Sequence, residues 1–261
     1  MHQKTRKVQR EWNGVNKMDI EATFKGNMEK LSRMHERSKV YVDFMDYFIY
    51  QHSNSPGAAL PTGYKKEEMN IFQESCKAFE EIMASLINKH GWYDYIGEYY
   101  EEYVLASSKA SNKGQFYTPR QISDLLSQIV GYKNEENTAY DPACGSARNL
   151  CEYHSKHPGV LCVGEDLDES ACKMAVINFC CHDVNGVVRW VDALTREYFG
   201  VTWRILNGQV YVTDDSWLRA VEDIKDACTI LTASDEEIAT ALGIVAEVIS
   251  YENEEEDGNK I

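Results

Sequence analysis

The sequence predicts an α/β fold, a parallel sheet wound with helices and preceded by a small helical domain. Three observations carry this. From about residue 138 onward, short β-branched runs alternate with segments of helical period, the pattern of successive βαβ units. The first hundred residues instead place apolar side chains at helical spacing throughout. A chain of 261 residues with 43% hydrophobic content is large enough to bury a core for both parts.

Taken in order, residues 18–52 read as helical, with Val40, Phe44, Tyr47 and Phe48 on one face. A loop follows from Asn54-Ser55-Pro56-Gly57 to Pro61-Thr62-Gly63, where turn-forming residues cluster. Helices are predicted over Lys65–Lys89 and Tyr93–Ser107, separated by Gly91. Past Gly114 the pattern alternates. Helix Pro119–Val130 leads to strand Thr138–Tyr140, helix Ala147–Lys156, strand Val160–Gly164, helix Glu169–His182 and strand Val187–Val191. A less regular connection then leads to strand Gln209–Thr213. Helices are predicted over Trp217–Ala227 and Asp235–Tyr251, the last opened by a capping box of Ser234 and Glu237. The resulting division is a helical domain with a basic arm over 1–107, an α/β domain over 108–251 and an acidic disordered tail over 252–261.

Charge is unevenly spread. The net charge of −15 opposes unaided binding to a phosphate backbone. Residues 1–40 nevertheless carry ten Lys/Arg against five Asp/Glu, while residues 214–261 carry three against fourteen. The basic arm suits contact with nucleic acid, and either terminus also reads simply as a solvated segment. No apolar run is long enough to span a bilayer and the basic start lacks a secretory apolar core, so a cytoplasmic location without membrane attachment is expected. Eight cysteines without a CxxC pair fit reduced thiols. His154 and His157 form only an i, i+3 pair, and no metal site is expected.

The segment that carries chemistry is Asp141-Pro142-Ala143-Cys144-Gly145-Ser146-Ala147-Arg148-Asn149-Leu150, directly after a strand and opening a helix. Small residues there let main chain approach a ligand, and helix N-terminal amides favour a polar group. Upstream stand Asp94-Tyr95-Ile96-Gly97-Glu98-Tyr99-Tyr100-Glu101 and Lys113-Gly114-Gln115-Phe116-Tyr117-Thr118-Pro119, where Thr118 suits an N-cap and Pro119 the first helical turn. Downstream, Val163-Gly164-Glu165-Asp166-Leu167-Asp168 ends the second strand, and an acid at such a tip accepts ribose hydroxyls. The next helix contains Ala175 and Asn178, and Val191-Asp192-Ala193-Leu194 follows the third strand.

These strings, in this order and over roughly residues 94–194, resemble those of the N6-adenine DNA methyltransferases, in particular the methylase subunits of type I restriction-modification systems. The cofactor turn resembles the family's DPxCGSG element, 113–119 its GQFYTP string and 191–194 its GDAL element, with Ala147 and Val191 replacing glycines. The resemblance implies a Rossmann-like S-adenosylmethionine-dependent methyltransferase fold with a truncated sheet. It implies that Asp141, Pro142, Ala143 and Gly145 wrap the methionine part of S-adenosylmethionine, closed over by Tyr117, Thr118 and Pro119. Asp166 would take the ribose, while Asp192, with Ala193, would receive the adenine amino group. DNA is the implied partner, reached through a specificity subunit, with the helical domain offering a protein contact.

One part of the pattern is missing. The family's Asn/Asp/Ser-Pro-Pro-aromatic tetrad accepts hydrogens of the target amine and stacks on the flipped base. All five prolines lie at or before Pro158, so the tetrad is absent. Its nearest substitute is Asp214-Asp215-Ser216-Trp217, with Asp214 as acceptor and Trp217 as stacking ring. The same residues also make a helix N-cap, the reading the local chemistry favours. Two functions stay open: an adenine-N6 DNA methyltransferase of a restriction-modification system, or an inactive methylase-like module that binds the cofactor and docks on a DNA-processing partner. A third, weaker reading makes the acidic end a mimic of DNA charge.

Overall fold

The structure is a computed structural model that describes residues 17–53, 55, 57–105, 118–130, 138–195 and 197–214. The basic arm, Tyr117, Trp217, the two helices expected after Asp215 and the acidic tail lie outside the described residues.

The amino-terminal part folds around aromatic rings. Helix α1 spans Lys17–Ser32 and α2 spans Arg37–Gln51. The single helical stretch expected over 18–52 is therefore two helices. The chain turns at 33–36, where the amides of Met34 and His35 both bond to the Leu31 carbonyl, and His35 bonds to Glu68 at 2.9 Å. No Gly or Pro marks this turn. What enforces it is packing, since folding back sets Phe24 edge-on to Phe44 at 5.3 Å and both against Phe79. Helix α3, Lys66–His90, ends at Gly91, whose positive φ of 82° forms a glycine cap with its amide bonded to the Ile87 carbonyl. Asp94 then caps the short helix α4, Tyr95–Tyr99, which runs on as a six-residue π-helix, Tyr100–Leu105.

Helix α5, Arg120–Val130, precedes strand β1, Thr138–Asp141. Helix α6 spans Arg148–Lys156, β2 Leu161–Asp166, α7 Glu169–Cys181 and β3 Gly186–Asp192. Strands β1, β2 and β3 pair in parallel, as expected. Leu161 to Gly164 are all buried, and such a strand reads as a continuous apolar run rather than an alternation.

Past β3 the observed sheet differs from the expected one. The irregular connection is a strand, β4, Glu197–Leu206, antiparallel to β3, and Gln209–Asp214 returns as β5, antiparallel to β4. The order is β1-β2-β3-β4-β5. The hairpin turns at Asn207 and Gly208, with φ of 50° and 72°, the Asn-Gly signature of a tight I′-like turn. Alternation in β4 is interrupted by Gly200 at φ 101° and by a register shift opposite Arg189 and Val191, which hides the strand from period-2 reading. The outer edge of β5 is covered by the loop after α2. The Val210 amide bonds to the His52 carbonyl, and Ser55 Oγ accepts from the Val212 amide at 2.8 Å.

Helix α7 joins the two parts. Ala171 to Cys180 are buried, packed between the sheet on one side and α2 to α4 on the other. The described residues cluster as one compact unit. Helix α5 departs from the usual pattern. Its Ser123 and Ser127 face α6, while Ile122, Leu125, Leu126, Ile129 and Val130 are exposed. The seven described cysteines are free thiols, and no described helix is long and apolar enough to cross a membrane.

Candidate functional site

Three parallel strands end in carboxylates on one face. Asp141 of β1 is level with Gly164 of β2, and Asp166 of β2 is level with Trp190 of β3. Residues two apart share a face and so do paired neighbours, so Asp141, Asp166 and Asp192 all point to the α6–α7 side of the sheet. Adjacent strands lie ~4.8 Å apart, so the outer two acids are separated by roughly 10 Å across the sheet. Glu165 falls on the opposite face, fully buried, accepting from Tyr140 Oη at 2.6 Å and Arg189 Nη1 at 3.3 Å. Asp166 and its neighbour Glu165 thus lie on opposite faces of the sheet.

The turn between β1 and α6 is held from below and from both sides. Gly145 and Ala147 adopt left-handed φ values of 56° and 66°. The Cys144 amide bonds to the Glu165 carbonyl at 2.9 Å, and the Ala143 amide to Asp141 Oδ1 at 3.1 Å. Beneath the turn, a Cβ on Gly164 would stand 2.9 Å from Cys144 Sγ, so only glycine lets the turn seat on β2. The Gly145 amide donates to Asp166 Oδ2 at 2.8 Å, while Asp166 Oδ1 takes the Asp168 amide at 2.9 Å. Each oxygen of Asp166 keeps a second lone pair for a ligand donor. Burial pushes the Asp166 carboxyl above the usual range, against the downward pull of those two amides. Asp192 behaves oppositely. The amides of Leu194 and Thr195 both donate to its Oδ1 and hold its pKa below the ordinary value.

A buried carboxylate behind the turn organises it. Asp94, 4% exposed, accepts four hydrogen bonds. Oδ1 takes the Gly97 amide at 2.8 Å and Asn178 Nδ2 at 2.7 Å, and Oδ2 takes Ser146 Oγ at 2.5 Å and Arg148 Nε at 2.6 Å. Asn178 also donates to the Ser146 carbonyl at 2.8 Å. Gly97 admits no Cβ, which would stand 2.1 Å from Asp94 Oδ2. The strings around Asp94, Ser146–Arg148 and Asn178 are therefore one cluster, and the sequence reading assigned none of these four side chains a role. Their signal was present only as membership in the quoted strings.

Of the residues expected at the cofactor, Asp141, Pro142, Ala143, Gly145, Asp166, Asp192 and Ala193 line the C-terminal ends of β1 to β3 or the turn above them. Thr118 and Pro119 are brought to the turn through Arg148, whose Nη1 donates to the Thr118 carbonyl at 3.3 Å. Asp214 is not brought there. It ends β5, level with Val201, three strands from β2 and four from β1, or roughly 15–20 Å at ~4.8 Å per strand. No cluster of metal-binding side chains occurs among the described residues.

Residues 92–213 match the model of the N-6 DNA methylase family. Over this segment the chain is similar to that family. Two relatives agree. The chain is 29% identical over 160 residues to the type I restriction enzyme MjaVIII methylase subunit of Methanocaldococcus jannaschii, covering 59% of this chain and 26% of that one. It is 28% identical over 100 residues to the type I restriction enzyme MpnII methylase subunit of Mycoplasma pneumoniae, covering 35% and 18%. The chain therefore spans about a quarter or less of the length of these relatives. No solved structure matches it. The N-6 DNA methylase segment contains Asp94, the turn between β1 and α6, all three strand-end carboxylates and the hairpin except Asp214.

Proposed function

We propose that the N-6 DNA methylase segment binds S-adenosylmethionine across the ends of β1, β2 and β3. The observation that carries this is the row of three carboxylates on one face, beneath a turn of small residues. Such a row only accepts hydrogen bonds from hydroxyls, amines and ammonium groups, and it repels phosphates. That chemistry suits a cationic nucleoside with a free amino acid end and disfavours a dinucleotide. Asp166 takes the ribose hydroxyls with its remaining lone pairs, Asp192 and Ala193 the adenine edge, and Asp141 to Gly145 the methionine part, with Tyr117, Thr118 and Pro119 closing over it. When bound, the cofactor supplies an electrophilic methyl group on sulfur.

By analogy with the two type I relatives, the chain serves adenine-N6 methylation of DNA within a restriction-modification assembly, with DNA delivered by a specificity subunit in the cytoplasm. The position of Asp214 supports a second reading beside it. A residue roughly 15–20 Å from the cofactor turn does not meet the methyl group, so the chain either receives its target-binding residues from elsewhere or acts as a cofactor-binding module.

Calorimetry with S-adenosylmethionine tests the cofactor assignment. Wild type binds, and Asp166→Ala weakens binding by about ten- to a hundredfold, the loss of charge-assisted hydrogen bonds worth about 1.5–3 kcal/mol. Wild type that fails to bind overturns it. Transfer of tritium from labelled cofactor to DNA adenine then separates enzyme from binding module.

A further inference from the structure

Arg148 opens α6 directly behind the proposed cofactor turn, and its side chain is 10% exposed. Its guanidinium reaches three separate pieces of chain. Nε donates to Asp94 Oδ2 at 2.6 Å, Nη2 to Glu101 Oε2 of the π-helix at 2.6 Å, and Nη1 to the Thr118 carbonyl at 3.3 Å. One carboxylate balances the guanidinium's charge, and two are already paired with it. The third arm ends on a neutral main-chain oxygen of the residue before Pro119, which serves no charge. A residue before proline is already confined to extended backbone, so fixing its carbonyl leaves Thr118 little freedom. The Pro119 carbonyl in turn accepts the amides of Ile122 and Ser123, the first turn of α5. Arg148 thereby fixes where the Thr118–Pro119 segment and α5 stand relative to the turn. Only a planar, multiply donating group does this, and lysine does not replace it.

We infer that Arg148 is a positioning residue for the amino acid end of the cofactor, holding Thr118–Pro119 against the turn so that this wall of the site stands ready before the ligand arrives. The inference rests on the proposed cofactor site. It separates the two ends of the ligand: the nucleoside end depends on Asp166 and Asp192, to neither of which a described Arg148 bond runs, while the amino acid end depends on the wall that Arg148 holds.

The test compares two ligands with one nucleoside, S-adenosylhomocysteine and 5′-methylthioadenosine, the second lacking the amino acid end. The wild-type chain, Arg148→Lys and Glu101→Gln are titrated below their melting temperatures. Glu101, 38% exposed at its side chain, loosens the same guanidinium while Asp94 stays paired, which keeps a folded variant in hand. Arg148→Lys is expected to weaken S-adenosylhomocysteine about tenfold and Glu101→Gln about threefold, with 5′-methylthioadenosine changed less than about twofold, as for lost pre-organisation of one wall. Equal weakening of both ligands shows a merely structural role and overturns the inference, as does no weakening of either. Wild type that binds neither ligand removes the cofactor reading itself, a result distinct from both.

Discussion

The two sides of the sheet are held by different means. On the β1–β3 side, side chains tie the turn to the helices and to β2: Asp94 to Ser146, Arg148 and Asn178, and Asp166 to Gly145. On the β4–β5 side, the main-chain ladder, the Asn207-Gly208 turn and the loop at His52–Ser55 provide the hold. A ladder tolerates most side chains, whereas a saturated carboxylate in a buried cluster tolerates almost none. The difference teaches where function is concentrated. The proposed binding site lies on the cluster-held side, and the ladder-held side is built as a support.

The largest effect is expected at the centre of the cluster. Asp94→Ala leaves the Arg148 guanidinium with Glu101 as its one remaining carboxylate among the bonds described and strips partners from Ser146, Asn178 and the Gly97 amide. Removing one side of a buried ion pair costs about 3–5 kcal/mol, so this variant is expected to unfold at far lower urea than wild type. A shift of under about 1 kcal/mol would show that the two sides are held alike.

A pH dependence follows from the same region. His182, just after α7, bonds through Nε2 to the Tyr93 carbonyl at 3.0 Å, one residue before Asp94. Burial pulls its pKa from 6.5 down to about 4, with Asp94 opposing and His154 adding to the fall. The native state thus keeps His182 neutral where the unfolded chain takes up a proton. Its stability contribution is complete above pH 6.5 and is lost as pH falls toward 4, by about 2 kcal/mol at pH 5. Urea unfolding at pH 7.5 and pH 5 should show that difference between wild type and His182→Gln. Parallel curves for the two proteins would refute it.

How far the sequence disclosed this division depends on contact range. The three parallel strands, the turn, the helices on either side and the acids at the strand ends were readable, because each is a local pattern of period, breaker or string. Asp94 was not, since its partners Ser146, Arg148 and Asn178 lie 52, 54 and 84 residues away, beyond any periodicity. The break between α1 and α2 carries no breaker residue and is decided by aromatic packing. Strand β4 was hidden by Gly200 and a register shift, although the Asn-Gly pair announced its hairpin. Missing that hairpin placed Asp214 nearer the cofactor turn than the sheet order allows.

A smaller effect is expected within the turn. Ala147 stands at φ 66°, where a Cβ is strained, at the place of a family glycine. Ala147→Gly relieves that strain while losing one buried methyl. The net gain is on the order of 1 kcal/mol or less, a rise in melting temperature of about 2–4 °C at most. A fall instead would show that the methyl group's packing outweighs the strain, and that the replacement suits this turn.

The smallest effect belongs to Asp214, and it bears most on activity. Its main chain pairs with Val201 at the far end of the sheet from β1, remote from Asp141 and Asp166. Asp214→Ala should change stability within about 0.5 kcal/mol, as for a substitution at the end of the outermost strand. It should leave the affinity for S-adenosylmethionine within twofold and leave any transfer of label to DNA unchanged. A variant that binds cofactor normally yet loses the label would place Asp214 at the target base, and would require β4 and β5 to leave their present register when DNA is bound. Unchanged transfer would assign the target-binding residues to a part of the assembly other than the hairpin, and would make the two sides of the sheet as different in function as they are in construction.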